Sequence, residues 1–360
     1  MTDDAATEAP VLRKAASEDA PGMLRVLEAA FGRWPAFELT ATPLEHLQWK
    51  LTELQADTPF GNWVVTVGSE IVGVRMHWFA PVRVGDLEYD GDTGADVAVH
   101  PGWQGRGIGR LLVAERDRVV AEARQVTIET PSRSAQLLHL NDVPDHVLRP
   151  LLVWERPFAP AALLRQHARA QRWGTLPRDA WRTFGPQHAR LISGPARLEQ
   201  MAMFDERSDA LWEVAGRQFD VARTRAAAFM NWRYIDRRSG DAVVLGAVED
   251  GRLLGFGVFK RDGAVGNVLD LMVDPGQPEV ARQLVVAGSE RLRRLGAKRA
   301  VCWLTEGHPL EPELARSGFA PVGTATLDLQ RRDRSPAAAM AVIEAPETRM
   351  HVTMGDFDFV

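Results

Sequence analysis

Three glycines lie at the junction between a predicted strand and a predicted helix, where they could bind an anion. The strand is the apolar run 97–99, which Pro101 closes, and apolar residues recur at helical spacing beyond Gly109. Gly105 and Gly107 lie between these two elements. Glycine permits a positive φ and a close approach of an anion to the main chain, and the N-terminus of the following helix attracts negative charge. The pattern therefore predicts a phosphate or pyrophosphate ligand.

Two common phosphate-binding loops do not fit this segment. A Walker loop ends in Gly-Lys-Ser/Thr, which is absent, and a dinucleotide loop has an acidic residue about twenty positions further on. The segment 104–109, Gln-Gly-Arg-Gly-Ile-Gly, follows Val-x-Val-x-Pro. It resembles the acyl-CoA pyrophosphate loop, Gln/Arg-x-x-Gly-x-Gly/Ala, of the GNAT superfamily of N-acetyltransferases, with Gln104, Gly107 and Gly109 at the signature positions. The alternative is an ordinary tight turn between a strand and a helix.

The resemblance implies acetyl-CoA as the cosubstrate. In the superfamily the strand before the loop pairs through its main chain with the pantetheine arm, and the loop holds the pyrophosphate. The residues that the resemblance assigns to cofactor binding are Val97, Ala98, Val99, Gln104, Gly105, Arg106, Gly107, Ile108, Gly109 and Arg110.

Carboxylates on or just before this strand are candidates for the general base that neutralises an acceptor amine. Five of them lie between Asp86 and Asp96, and Asp96 and Asp92 are the preferred candidates. Their combined charge predicts a cationic acceptor. The alternative is a solvated acidic hairpin with no catalytic role.

The proton donor for the leaving thiolate is harder to identify. Many family members place a tyrosine in the helix that follows the next strand, but this chain has only Tyr89 and Tyr234. His139 falls near the usual tyrosine position, and histidine titrates near neutrality. A structural histidine on an apolar helix is the alternative. No histidine pair has metal-ligand spacing with cysteine or carboxylate support, so no metal is predicted.

Length and composition limit the class of protein. A chain of 360 residues exceeds one typical domain, and 45% hydrophobic with 25% charged residues is an ordinary globular composition. A net charge of −5 argues against nucleic acid as a partner, and no apolar run approaches the ~18 residues of a membrane span. The first ten residues are acidic, unlike a signal peptide, so a cytoplasmic location is predicted. The single cysteine, Cys302, lies in an apolar run and is predicted to be a buried strand residue.

The last third of the chain repeats the first. A hairpin over 242–259 matches one over 62–76, and Leu-Asp-Leu-Met-Val-Asp-Pro at 269–275 matches Ala-Asp-Val-Ala-Val-His-Pro at 95–101. The second copy has Pro-Glu-Val-Ala-Arg-Gln at 278–283 in place of the glycine loop. Side chains there would block a phosphate, and Glu279 would repel it. The repeat therefore predicts one CoA per chain.

The predicted fold class is α/β (α+β), with two GNAT-like domains that each contain a mixed, mostly antiparallel sheet flanked by helices. The predicted boundaries are a disordered tail at 1–10, a GNAT acetyltransferase domain at 11–157, a mostly helical connecting region at 158–229 and a degenerate GNAT-like domain at 230–360. The resemblance implies transfer of an acetyl or short acyl group from CoA to a primary amine of a small molecule. The alternatives are a non-catalytic acyl-CoA-binding or regulatory module and an aminoacyl or peptidyl transferase.

Overall fold

The computed structural model describes residues 8–51, 61–114, 125–129, 145–171, 173–185, 194, 196–331 and 336–358. Within these ranges, no helix has both the length and the apolar composition needed to cross a membrane.

The two predicted hairpins and the run 97–99 are strands, and the strand that contains this run begins ten residues earlier, at Leu87. The strand bounds are β1 Val11–Lys14, β2 Trp63–Val67, β3 Glu70–Phe79, β4 Val82–Val84, β5 Leu87–Val99, β6 Gln125–Glu129, β7 Asp145–Pro157, β8 Arg197–Gln200, β9 Val221–Arg223, β10 Val243–Glu249, β11 Arg252–Asp262, β12 Val265–Val273, β13 Arg299–Thr305, β14 Ala320–Arg331 and β15 Met350–His351.

One helix start is fixed by side-chain hydrogen bonds. A capping box opens the second helix, because the Thr42 hydroxyl accepts from Glu45 N (3.2 Å) and the Glu45 carboxylate accepts from Thr42 N (2.8 Å). The bounds are α1 Ala20–Phe31, α2 Pro43–Lys50, α3 from residue 108 and described to 114, α4 Pro160–Ala170, α5 Leu176–Phe184, α6 Glu206–Ala215, α7 Ala227–Met230, α8 Glu279–Arg294, α9 Glu311–Arg316 and α10 Ala337–Glu344. A π-helical turn, Asn231–Ile235, follows α7 directly.

The strands form one extended sheet, in the order β1-β2-β3-β5-β6-β14-β7-β13-β12-β11-β10-β8. The predicted repeat is confirmed. Strands β2, β3, β5 and β6 form a hairpin, a third antiparallel strand and a parallel neighbour, and β10 to β13 repeat that arrangement. We call β1 to β6 the first copy and β10 to β13 the second copy.

The two copies exchange strands at the centre of the sheet. β7 follows the first copy in sequence, but it pairs with β13 on one side and with β14 on the other. β14 follows the second copy in sequence and pairs with β6 of the first. At the centre of the sheet, the strand that borders each copy therefore comes from the other half of the chain.

Helices pack on both faces of the first copy. α1 and α2 cover one face, where Val74, Met76 and Ala98 are buried. α3 covers the other face, where Ile108 and Leu112 pack with buried side chains of β2 and β3. In the second copy, Cys302 is buried in β13, as the sequence predicts, and burial raises the pKa of its thiol.

Candidate functional site

The glycine-rich turn between β5 and α3 has the backbone geometry of an anion cradle. Gly105 and Gly107 have φ values of +76° and +83°, and a Cβ atom at either position would meet no atom within 4 Å. Both glycines are therefore needed for the left-handed backbone conformation and not to relieve a steric contact. The Gln104 side-chain amide donates to the Val99 carbonyl oxygen (3.2 Å) and braces the turn against the end of β5.

The N-terminus of α3 opens towards the same turn. Leu111 N donates to Gly107 O (3.0 Å), so the amides that precede Leu111 lack an acceptor inside the helix. Ile108 is buried and fixes the helix on the sheet, where its methyl group occupies the space that a Cβ on Gly73 would need. Arg106 and Arg110 are exposed beside the turn, and the Arg106 guanidinium lies 4.6 Å from the Trp103 ring. Exposed amides, the helix dipole and two cations together suit a pyrophosphate.

An opening in the sheet runs beside this turn. β5 pairs with β6 only at 90–92, and its later residues have a strand neighbour on the β3 side alone among the described residues. His100 N donates to Val72 O (2.9 Å), so strand alternation directs the amides of Val97 and Val99 into the opening and that of Ala98 towards β3. Val97 and Val99 can therefore bond an extended ligand with main-chain groups, whereas Ala98 packs against α1 and α2.

Asp96 lies in a β-bulge at the edge of this opening. The register between β3 and β5 shifts, so that Met76 faces both Ala95 and Asp96. The Asp96 carboxylate contacts Lys50 Nζ (3.2 Å), which also binds Asp358 (2.8 Å). Burial raises the pKa of Asp96, and the nearby Asp358 carboxylate raises it further against the opposing effect of Lys50. A carboxylate whose pKa is shifted towards neutrality is suited to accept a proton from an ammonium.

Asp92 lies on the opposite face of the sheet and has a different environment. It is completely buried, and its carboxylate accepts from His77 Nδ1 (2.8 Å). His77 Nε2 in turn accepts from Arg75 Nε (2.7 Å), which fixes the proton on Nδ1 because guanidinium nitrogens only donate. Arg75, His77 and Asp92 thus form a buried chain of hydrogen bonds that holds β3 and β5 together.

The remaining acidic residues of the hairpin face solvent. Asp86, Glu88 and Asp90 are exposed on β5 and the turn before it. They match the solvated hairpin that was the alternative interpretation, whereas Asp92 and Asp96 do not. The predicted proton donor, His139, lies outside the described residues. Tyr89 packs in a core beside β14, and Tyr234 donates to Asp270 of the second copy (3.3 Å).

Sequence reasoning missed Lys50 and Asp358. Lys50 is the last residue of an amphipathic helix, where a lysine is usually solvated, but only 4% of its side chain is exposed. Asp358 lies 308 positions away in the sequence. The signal that could have pointed to it is the Gly-Asp-Phe-Asp run at 355–358, in which two acids flank an aromatic residue.

The corresponding opening in the second copy is filled by the C-terminal segment. β12 and β13 pair at 265–268 and 299–302, and beyond that point residues 350–357 pack against both strands. Thr305 Oγ1 donates to Met350 O (2.6 Å), and the Phe357 ring lies 6.0 Å from that of Trp303. A Cβ on Gly355 would overlap the Tyr234 hydroxyl and approach Leu269 O to 3.0 Å.

Buried charges hold this segment in place. Arg225 donates to both carboxylate oxygens of Asp356 (2.9 and 2.8 Å) and contacts Asp270 on β12 (2.8 Å). Burial raises the pKa of Asp356, but the facing arginines lower it by more, so the net shift is downwards. The start of α8 does not offer free amides to an anion, because the amides of Val280 and Ala281 already donate to Gln277 O and Pro278 O (both 3.1 Å). Among the described residues, no group of His, Cys, Asp or Glu side chains is placed to hold a metal ion.

Comparison with protein families gives a match in the first copy. Residues 23–136 match the model of the Acetyltransferase (GNAT) family. This match contains the glycine turn, the opening beside β5 and Asp96. The search of curated proteins gave no significant match.

Solved structures share the fold over most of the chain. A GCN5-related N-acetyltransferase from Kribbella flavida is 17% identical, with 91% of this chain and 72% of that chain covered and a TM-score of 0.55. N-myristoyltransferase from Saccharomyces cerevisiae with bound myristoyl-CoA is 12% identical, with coverage of 89% and 78% and a TM-score of 0.55. A tandem GNAT protein from the clavulanic acid biosynthesis pathway is 16% identical, with coverage of 89% and 98% and a TM-score of 0.50. The predicted fold class, two GNAT-like domains, is confirmed.

Proposed function

Because residues 23–136 match the GNAT family model, we propose that this chain is an N-acyltransferase that moves an acetyl or short acyl group from CoA to a primary amine. One observation carries the proposal. The glycine turn, the α3 N-terminus and the opening beside β5 meet at one end of the first copy, and Asp96 lies at the edge of that opening.

The residues of the first copy fit acyl-CoA. The cradle formed by Gly105, Gly107 and the first amides of α3 suits the pyrophosphate, and the inward amides of Val97 and Val99 suit the amides of a pantetheine arm. Acyl-CoA supplies a thioester carbonyl, which the amine converts to an amide with release of the CoA thiol. An amide N–H of β5 directed into the opening can stabilise negative charge that develops on that carbonyl oxygen.

Asp96 is the proposed general base. An acceptor amine enters as an ammonium and must lose a proton before its lone pair can attack, and Asp96 accepts that proton. Lys50 holds the carboxylate in position through a contact of 3.2 Å, and Asp358 fixes Lys50 from the other side. Asp92 is not part of this step, because His77 and the interior of the sheet surround it.

A non-catalytic acyl-CoA-binding module is the second candidate. It is favoured by the positions of Tyr89 and Tyr234, each of which lies in a core away from the opening. No proton donor for the thiol is therefore assigned among the described residues. An enzyme can still release a thiolate to solvent, because thiols ionise near neutral pH.

One assay separates the two candidates. Thiol release from acetyl-CoA is measured with a panel of primary amines, and CoA binding is measured by calorimetry on the same preparation. The proposal expects binding and amine-dependent thiol release. If CoA binds but none of the amines causes thiol release, the binding module is favoured. If CoA does not bind, both candidates are contradicted.

A further inference from the structure

Lys260 on β11 is a buried ammonium without a hydrogen-bond partner. It is 2% exposed, and no acceptor lies within hydrogen-bond distance of its Nζ in the part of the chain that the structure describes. The centre of the Phe37 ring lies 4.1 Å from Nζ. A buried charge without a hydrogen-bond partner is costly, so an acceptor group that reached this ammonium would be bound favourably.

A second unused group lies beside the same ring. His46 Nδ1 donates to the Arg238 carbonyl oxygen (2.7 Å), which leaves Nε2 as a buried acceptor without a donor among the described residues. Burial lowers the pKa of His46 to about 3, so the ring is neutral. The His46 and Phe37 ring centres are 5.4 Å apart. Phe37 thus lies beside both the Lys260 ammonium and the His46 ring.

The segment that covers Lys260 belongs to the first copy. Phe37 lies on the loop 32–42 between α1 and α2, which is pinned to the second copy by exposed polar contacts. Arg261 donates to Glu38 (2.8 Å), and Thr40 donates to Asp241 (2.7 Å). Exposed pairs of this kind contribute little, so residues 36–40 can move and admit a ligand while Trp34 and Pro35 stay buried.

The charges around Lys260 connect it with the proposed base. Burial lowers the pKa of Lys260 to about 8, Arg233 contributes in the same direction, and Asp262, Asp241 and Asp358 oppose the shift. Asp358 is also the carboxylate that shares Lys50 with Asp96. Lys260 and Asp96 are therefore both within the electrostatic reach of one carboxylate.

We propose that Lys260 binds a carboxylate of the acceptor, so that the acceptor is a primary amine that also carries a carboxylate. The carboxylate satisfies the buried ammonium, and a hydroxyl or N–H group of the same molecule can donate to His46 Nε2. This inference rests on the proposed function for the reaction, but the carboxylate site itself can be tested without turnover.

The test compares amines that differ only by a carboxylate. Thiol release from acetyl-CoA is measured with lysine and cadaverine, and with alanine and ethylamine. We expect kcat/KM to be ~10-fold or more higher for the carboxylate-bearing member of at least one pair, as for a charge-assisted hydrogen bond. That advantage should disappear as the pH rises above about 8, because the ammonium that binds the carboxylate loses its proton. In K260M the ratio should fall towards one, and K260R should restore part of it.

A binding measurement separates failure of this inference from failure of the proposed function. The midpoint of thermal unfolding is followed with increasing lysine or cadaverine, in wild type and in K260M. Stabilisation by the carboxylate-bearing member alone, lost in K260M, supports the site even if no amine is acetylated. Equal behaviour of the two members of each pair in wild type, in both measurements, would overturn it.

Discussion

At the scale of single residues, two matched variants can separate the backbone conformation of the glycine turn from its ability to bind an anion. Replacement of Gly107 by Asp places a side chain and a negative charge in the cradle, where φ is +83°. We expect the Kd for CoA to rise by ~100-fold or more, because a like charge next to the pyrophosphate costs several kcal/mol. Calorimetric titration with CoA measures this change.

Gly251 provides the matched control. It lies in the turn between β10 and β11 with a φ of +80°, and a Cβ there also meets nothing within 4 Å. Gly251→Asp therefore has the same backbone cost and the same added charge, but it is outside the cradle. CoA affinity should be unchanged in that variant. Equal affinities in the two folded variants would remove the basis for the anion site.

Asp96 and Asp92 are expected to respond differently to loss of charge. Asp96→Asn should reduce kcat by ~10²- to 10⁴-fold, the usual contribution of a general base. In the wild type, activity should rise with pH as Asp96 ionises, and this limb should lie above the usual range for aspartate because its pKa is raised. The pH profile of kcat/KM in wild type and variant measures both effects.

Asp92→Asn is the comparison variant. Asp92 holds the buried chain with His77, so its loss should lower the midpoint of thermal unfolding. The acid limb of the pH profile should remain in that variant. If the limb instead disappears with Asp92→Asn and persists with Asp96→Asn, the roles of the two carboxylates are reversed.

The difference between these two carboxylates could not be read from the sequence. By strict alternation, residues 92, 94 and 96 lie on one face of a strand. The bulge opposite Met76 shifts the register, so Asp96 faces α2 while Asp92 faces His77. The sequence narrowed the base to two candidates, and the local irregularity of β5 distinguishes their environments.

At the scale of elements, hydrophobic periodicity predicts which helices and strands form, but it does not always predict which strands pair. The hairpins and the strand before the loop were predicted correctly, because turn residues and apolar spacing are local signals. The exchange of β7 and β14 is a long-range choice between similar apolar strands, and the sequence contains no local signal for it. The position of the C-terminal segment is of the same kind, since its partners Arg225 and Arg233 are more than 100 residues away.

The C-terminal segment should contribute strongly to stability. In Gly355→Ala the new Cβ would overlap the Tyr234 hydroxyl, and the buried packing around Asp356 leaves little room for adjustment. We expect a loss of ~1–3 kcal/mol in the free energy of unfolding, as for other overpacked cores. Denaturant unfolding measures it, with Gly323→Ala as control because a Cβ there meets nothing within 4 Å. Equal stability of the two variants would show that the segment is not tightly packed.

At the scale of the whole molecule, the two copies of the repeat differ at the opening beside their third strand. The first copy presents open glycines and inward amides, whereas the second presents Glu279 at its helix start and holds residues 350–357 between β12 and β13. The strand exchange joins the two copies into one sheet, because β7 pairs with β13 of the second copy and also with β14, which pairs with β6 of the first. The second copy therefore supports the first in a structural sense that does not require a ligand.

This asymmetry predicts one CoA per chain. Calorimetric titration of the full chain should give a stoichiometry of one, and Gly107→Asp should abolish that single binding event, because the second copy lacks the cradle and its opening is filled.

Gly355→Ala gives a sharper version of the same test. If the C-terminal segment alone blocked a second site, this variant would gain an equivalent of CoA. We expect no gain, because the amides at the start of α8 already donate to Gln277 and Pro278 and Glu279 repels a phosphate. Two equivalents in wild type, or one equivalent that survives Gly107→Asp, would show that the second copy binds CoA.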